Sequence, residues 1–167
     1  GVSYKANKND RTFHPGRCAS VLCGDKVLGV FGEIHPETAA NYGFGNVRVY
    51  AAELDFAAMF ESRRTEVSYV PLPKYPALER DFSFVCDEAL EAGQIESAIA
   101  DAASKLLESV ALFDVYRGAQ VGAGKKSLSF AVKLRSDDHT LSDEEADKSV
   151  AKILKSLSDK FGISLRG

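Results

Sequence analysis

The order of strand-like and helix-like patterns after residue 77 constrains the fold more than any other feature of the sequence. Alternating apolar and polar residues are typical of half-buried strands, and apolar residues three and four apart are typical of amphipathic helices. The patterns follow one another as strand at 80–87, helix at 91–107, strands at 109–117 and 126–135, helix at 142–161 and a short strand at 163–166. This β-α-β-β-α-β order predicts an α+β, ferredoxin-like domain. In such a domain, two helices cover one face of an antiparallel sheet, and the other face of the sheet is open.

Local signals mark the ends of the second helix. Ser142 followed by Glu145 is a capping-box pattern, in which each side chain bonds a free backbone N–H of the first turn. Glycine is the residue type that most often ends a helix in the left-handed conformation, and Gly162 directly follows the helix pattern. Both signals support a helix between these positions.

A proline-rich segment separates this domain from the preceding residues. Residues 70–76 (VPLPKYP) contain three of the five prolines in the chain. Proline holds both itself and the residue before it in extended geometry. We therefore expect a linker at 71–76 between an N-terminal part, residues 1–70, and a C-terminal domain, residues 77–167.

The N-terminal part is predicted to be a small mixed α/β piece. Residues 1–16 are polar and show no period, so no regular structure is expected there. The predicted elements are strands at 18–23 and 26–34 joined by a Gly24-Asp25 turn, a short helix after Pro36, a strand at 47–54 and a helical turn at 55–62.

Bulk composition excludes several classes of protein. The formal net charge of −3 provides no overall basic field for nucleic acid, and no apolar run approaches the ~20 residues of a membrane helix. Cys18, Cys23 and Cys86 are an odd, sparse set, which predicts reduced thiols and a cytoplasmic protein. Because the chain starts at Gly1 without a strand or helix period, we expect it to be an internal part of a larger protein.

Two histidines and two cysteines in the N-terminal part do not have the spacing of a metal site. Cys18 and Cys23 are five residues apart, and no C-x₂-C pair exists. His14 and His35 each precede a proline, where the imidazole is expected to bond the backbone. We expect no metal site.

The stretch YRGAQVGAGKKSLSF, residues 116–130, raises the question of a phosphate-binding loop. A Walker A loop requires glycine where this chain has Ala119, and Ser or Thr where it has Lys126. The stretch also joins two strands, whereas a P-loop opens a helix. It is therefore predicted to be a hairpin connection whose glycines adopt positive φ.

Strand alternation assigns side chains to the two faces of the sheet. In the third strand of the domain, the odd-numbered residues from Ser127 to Arg135 are expected on the open face. In the second strand, Phe113 and Val115 are expected in the core, and Leu112, Asp114 and Tyr116 outward. A basic patch at one edge, with Tyr116 able to stack on a base, is typical of sheets that bind single-stranded RNA. The candidate RNA-binding residues are Arg80, Tyr116, Arg117, Lys125, Lys126, Ser127, Ser129, Lys133 and Arg135.

Other interpretations of these residues stay open. Arg80 could instead pair with an acid such as Glu79 or Asp114 and fix the entry to the domain. The same sheet face could pack on another protein without binding RNA, with Val85 and Leu112 as anchors. A small-molecule regulatory domain is a further alternative, although no glycines mark a ligand pocket at a helix N-terminus.

Several segments taken together resemble one family. FHPGRCASVLCGDKVLGVFGEIHP, KYPALERDFSFV, LFDVYRG, KKSLSFAVKLR, TLSDEE and a final LR occur in the order and spacing of the C-terminal part of the beta subunit of bacterial-type phenylalanyl-tRNA synthetase. The resemblance covers roughly residues 13–167. It implies that the N-terminal part closes a class II synthetase-like module without a catalytic centre, and that the C-terminal domain is a ferredoxin-fold anticodon-binding domain. The resemblance also permits His35 and Glu33 to lie at the vestige of an active-site sheet.

The resemblance also implies partners and cofactors. The expected partners are the anticodon stem-loop of tRNA-Phe and the alpha subunit, two of each subunit forming the enzyme. ATP and magnesium serve the whole enzyme, in which the alpha subunit performs aminoacylation. This chain is expected to hold no catalytic residue, to bind no membrane and to be inactive alone.

Overall fold

The computed structural model describes residues 1–66, 68–69 and 71–166. The chain divides into two compact units, Gly1–Tyr69 and Val70–Gly167. The ends predicted for the two domains at residues 70 and 167 lie outside the described residues. No helix in the described ranges is long and apolar enough to cross a membrane.

The first unit is a four-stranded antiparallel sheet in the order β1-β2-β3-β4. The turn between β2 and β3 contains Gly24 at φ 57°, as predicted for the Gly24-Asp25 pair. The elements are β1 Val2–Ala6, β2 Phe13–Cys23, β3 Lys26–Ile34, α1 Pro36–Asn41, β4 Tyr50–Leu54 and α2 Phe56–Glu61.

The expectation of irregular structure in residues 1–16 is wrong. β1 pairs with β2 from Val2 opposite Cys23 to Ala6 opposite Ala19. All five residues of β1 are exposed, so no alternation of buried and exposed positions marks this strand in the sequence. β2 also begins earlier than predicted, at Phe13, with an irregularity in its pairing before Cys18. β4 is shorter than the predicted strand at 47–54.

The second unit has the predicted β-α-β-β-α-β order. Its sheet is antiparallel with strand order β6-β7-β5-β8, which places the first and third strands of the unit at the centre. The elements are β5 Leu78–Asp87, α3 Ala92–Ala103, β6 Leu107–Tyr116, β7 Lys125–Leu134, α4 Asp143–Phe161 and β8 Ser164–Leu165.

The core of the second unit lies between its sheet and its two helices. Phe84 and Phe130 from the central strands pack in one cluster with Ile99 of α3 and Leu157 of α4, each at most 1% exposed. Burying a side chain of this size contributes about 1.5–3 kcal/mol. Because residues of both helices join the same cluster, both helices cover the same face, as predicted.

The predicted helix signals are confirmed. The Ser142 hydroxyl accepts the Glu145 N–H, and the Glu145 carboxylate accepts the Ser142 N–H. Gly162 ends α4 in the left-handed conformation at φ 64°. The connection between β6 and β7 is the predicted hairpin loop, in which Gly122 and Gly124 have φ 86° and 73°.

Candidate nucleic-acid interface

The face of the second sheet opposite the helices carries polar side chains in aligned rows. The strand register places Tyr116, Ser127 and Val85 side by side across three strands. The next row contains Asp114, Ser129 and Ser83, and the hydroxyls of the two serines lie 2.8 Å apart. Asp114 and Tyr116 are exposed, so the face presents an aromatic ring and a carboxylate beside a strip of hydroxyls.

The predicted faces of β6 are partly wrong. Asp114 and Tyr116 lie on the open face as expected, but Leu112 is opposite Phe130 and packs against the core. The register shifts between Leu112 and Asp114, so Phe113 is an extra residue without a partner on β7. Such a bulge reverses the alternation along the strand. Phe113 is therefore 57% exposed instead of buried, whereas Val115 lies opposite Leu128 on the predicted core face and is 39% exposed.

Arg166 reaches across the open face. It directly follows β8, and its backbone N–H donates to the Ser83 carbonyl at 2.7 Å. Its guanidinium carbon lies 5.0 Å from the centre of the Tyr116 ring, and its Nη2 donates to Gln120 Oε1 at 2.8 Å. Since β6 and β8 are the two edges of the sheet, their backbones are separated by three strand spacings, roughly 14 Å. The contact therefore spans the sheet.

Two serines of the predicted set are buried although they lie on the open face. Ser127 is 1% exposed and Ser129 is 7% exposed. Both belong to the central strand β7, and the long side chains of Tyr116 and Arg166 meet across this region of the face. Little of either serine is therefore accessible to RNA in this conformation.

The basic residues predicted as one patch lie in two clusters. Lys125 and Lys126 begin β7, whereas Lys133 and Arg135 lie at its other end. Eight residues at about 3.3 Å each separate Lys125 from Lys133 by roughly 26 Å. The single basic edge expected from the sequence is therefore divided along the strand.

The cluster at the start of β7 is organised around Glu88. Arg117 makes a bidentate pair with the Glu88 carboxylate, with Nη2 donating at 2.8 Å. These hydrogen bonds hold the pKa of Glu88 below its ordinary value. Lys126 is only 8% exposed, and its Nζ donates to the Glu88 backbone carbonyl at 2.8 Å. Lys125 is exposed, and within the described ranges its ammonium has no ion-pair partner.

The basic residues at the opposite end of β7 are also paired with acids. Lys133 Nζ lies 2.6 Å from a Glu79 oxygen, and this hydrogen bond raises the pKa of Lys133. Arg135 Nε lies 2.7 Å from Glu108, whose pKa it lowers. Arg135 also donates to the Tyr75 carbonyl.

Arg80 makes an ion pair, but not with the acids considered from the sequence. Its Nη2 lies 3.1 Å from the Asp143 carboxylate in the first turn of α4. It contacts Glu79 only through the backbone carbonyl. This pair joins β5 to the start of α4.

Sequence reasoning missed two residues of the candidate interface. Arg166 and Gln120 were not predicted, since nothing in the local pattern connects the end of the chain to the loop after β6. The available signal was the basic residue Arg166 at the end of the predicted last strand, ISLR. That strand is so short that only one or two of its side chains can lie on the open face.

A buried carboxylate in the first unit lies close to two arginines. Glu33 is 5% exposed, and the Nε atoms of Arg17 and Arg48 lie 2.7 and 4.0 Å from its Oε2. His14 Nδ1 accepts the Gly16 N–H at 3.0 Å, which agrees with the expected bond of this imidazole to the backbone. No three His, Cys, Asp or Glu side chains among the residues with described positions come together as metal ligands.

Comparison with known proteins relates both units to one enzyme subunit. Residues 73–166 match the ferredoxin-fold anticodon binding domain, and residues 1–56 match the phenylalanyl tRNA synthetase beta chain CLM domain. The phenylalanine–tRNA ligase beta subunits of Clostridium tetani and Clostridium acetobutylicum are each 39% identical, over 98% and 99% of this chain and 21% of those proteins. The Bacillus subtilis beta subunit is 36% identical over 94% of this chain and 19% of its own length. The chain thus spans about a fifth of the relatives it matches. It belongs to the ferredoxin-fold anticodon binding domain family, in the form found in phenylalanine–tRNA ligase beta subunits.

Proposed function

We propose that the second unit of this chain binds the anticodon stem-loop of phenylalanine tRNA as part of an ATP-dependent phenylalanine–tRNA ligase. The observation that carries the proposal is the open face of the sheet, where Tyr116 and Asp114 are exposed beside the half-buried Ser83. An unpaired base can stack on an aromatic ring while hydroxyl and carboxylate groups bond its edge. Membership of an anticodon binding domain family supports the same ligand.

The predicted RNA-binding residues fall into three groups on this proposal. Tyr116 is the stacking residue, and Lys125 is the cation most available to a phosphate. Four further cations are already paired with carboxylates, so each of them contacts a phosphate only by sharing or leaving its partner. They are Arg80, Arg117, Lys133 and Arg135. Ser127, Ser129 and Lys126 are covered in this conformation.

Catalysis is assigned to the rest of the enzyme. The names of the relatives support a ligase. We assign ATP and magnesium to the whole enzyme. We propose the alpha subunit as this chain's partner, in an assembly of two alpha and two beta subunits. A cytoplasmic location stays a prediction. The 167-residue chain alone is expected to have no aminoacylation activity.

The alternative is a protein-interaction face without RNA affinity. Leu112 was one of its two expected anchors, and it packs against the helices instead. Only Val85 of that pair remains on the open face, half-buried. The structure therefore removes one of the two anchors that this alternative expected.

Binding of an anticodon stem-loop tests the proposal. The chain is titrated into a labelled tRNA-Phe stem-loop at two salt concentrations, and a stem-loop with the same stem but three altered anticodon bases serves as control. We expect the matched loop to bind more tightly, and both affinities to fall with salt because phosphate contacts release counterions. Equal affinity for the two loops, or no affinity, would refute anticodon recognition.

A further inference from the structure

Gly118 lies against the hydroxyl end of the Tyr116 ring. A β-carbon built on Gly118 would lie 2.9 Å from Tyr116 Cε1 and still closer to Cζ and Oη. The backbone of Gly118 is at φ −148° and ψ 172°, an extended conformation that every residue can adopt. Glycine is therefore needed here for space and not for backbone conformation.

The backbone at Gly118 has little freedom to retreat from the ring. Its carbonyl accepts the Val121 N–H at 3.1 Å, and the Val121 side chain is 6% exposed. The same short turn carries Gln120, whose side chain holds the Arg166 guanidinium over the Tyr116 ring. One turn therefore fixes the tyrosine in two ways, through the missing side chain of Gly118 and through the orientation of Arg166.

We propose that Gly118 is the positioning residue of Tyr116, and that the absence of its side chain sets the ring where an unpaired RNA base stacks. The inference rests on the proposed function, because it names the residue that orders the stacking group. A side chain at Gly118 would displace the end of a movable ring and leave the strands intact. Gly118→Ala should then affect RNA binding more than stability.

The first test needs no RNA. NMR signals of the Tyr116 ring and the Arg166 Nε–H are compared between the wild-type chain and Gly118→Ala. The expected result is a shift of both, with the signals of Phe84 and Phe130 in the core unchanged. Gly93→Ala is the matched control, because its new β-carbon would meet open space in the first turn of α3. Unchanged Tyr116 ring signals in Gly118→Ala would overturn the proposal.

The second test asks whether Gly118 acts through Tyr116. Stacking on one aromatic ring accounts for roughly a 5- to 100-fold difference in affinity, so Tyr116→Ala should weaken stem-loop binding within this range. Gly118→Ala should cause a loss of similar size, and the double variant should bind like Tyr116→Ala alone. Additive losses would mean that Gly118 acts independently of the ring and would contradict the proposal. Failure of the wild-type chain to bind would refute the proposed function instead, and the ring signals would still decide the role of Gly118.

Discussion

Lys125 and Lys126 are adjacent in sequence but have opposite surroundings, so substituting each one separates RNA contact from stability. Lys125 is exposed at the start of β7, whereas Lys126 is 8% exposed and donates to the Glu88 carbonyl. We expect Lys126→Met to destabilise the second unit without weakening RNA binding. Lys125→Met should do the reverse.

The expected changes in stability and in RNA affinity follow from these contacts. Methionine keeps the length of the side chain but removes a hydrogen bond from a charged donor, a loss of about 2 kcal/mol. For a unit of this size that loss lowers Tm by roughly 8–16 °C. Lys125→Met removes no hydrogen bond or ion pair of the side chain to the described residues, so it should change stability by less than about 0.5 kcal/mol. Its loss of a phosphate contact should weaken stem-loop binding roughly two- to fivefold, the strength of an exposed ion pair.

Hydrogen exchange and RNA titration measure the two effects separately. Exchange of the Phe84 and Phe130 amides reports the opening of the second unit alone, because both lie in its central strands. Anisotropy of a labelled stem-loop gives the affinity. The reasoning is refuted if Lys126→Met leaves exchange unchanged and weakens RNA binding more than Lys125→Met does.

Two further predictions concern stability. Hydrogen bonds in the folded chain lower the pKa values of Glu88, Glu108 and Glu145 from the ordinary 4.5. The stability that these carboxylates contribute is therefore complete above about pH 4.5, and it is lost as the pH falls through the lowered pKa values. Glu88→Gln should therefore reduce the urea midpoint at pH 7 and flatten its decline below pH 4.5; curves parallel to wild type would contradict this. Phe130→Ala, at a position 0% exposed, should cost about 3–5 kcal/mol in urea unfolding. Phe113→Ala at the exposed bulge is its control, and an equal cost at both positions would show that the bulge is misplaced.

The order of elements in the second unit could be predicted because its signals are local. The helix pattern of α3, the capping box at Ser142 and the end at Gly162 each occupy a few consecutive residues. Alternation in β7 correctly placed Ser127 and Ser129 on the open face, which leaves Leu128, Phe130, Val132 and Leu134 for the core.

The faces of β6 could not be predicted because they depend on pairing with another strand. The bulge at Phe113 arises from the register of β6 against β7, and a single sequence contains no record of that register. The edge strand β1 was missed for a related reason. Its residues are exposed on both faces, so burial leaves no pattern in its composition.

The electrostatic part of the interface depends on contacts between residues far apart in the chain. The pair of Arg80 with Asp143 and the stack of Arg166 on Tyr116 join residues 63 and 50 positions apart. Counting lysines and arginines in the sequence located the cations, but not the carboxylates that neutralise them.

The pairing of arginines and lysines with glutamates weakens the attraction of this surface for an arbitrary polyanion. A phosphate that approaches Arg117 or Lys133 must share the cation with a carboxylate already bound there, or displace it. The net gain from each such contact is small. On the proposed function, tight association then depends on a loop whose bases engage the exposed Tyr116 ring and Asp114 carboxylate, so that selectivity comes from the bases and not from the phosphates.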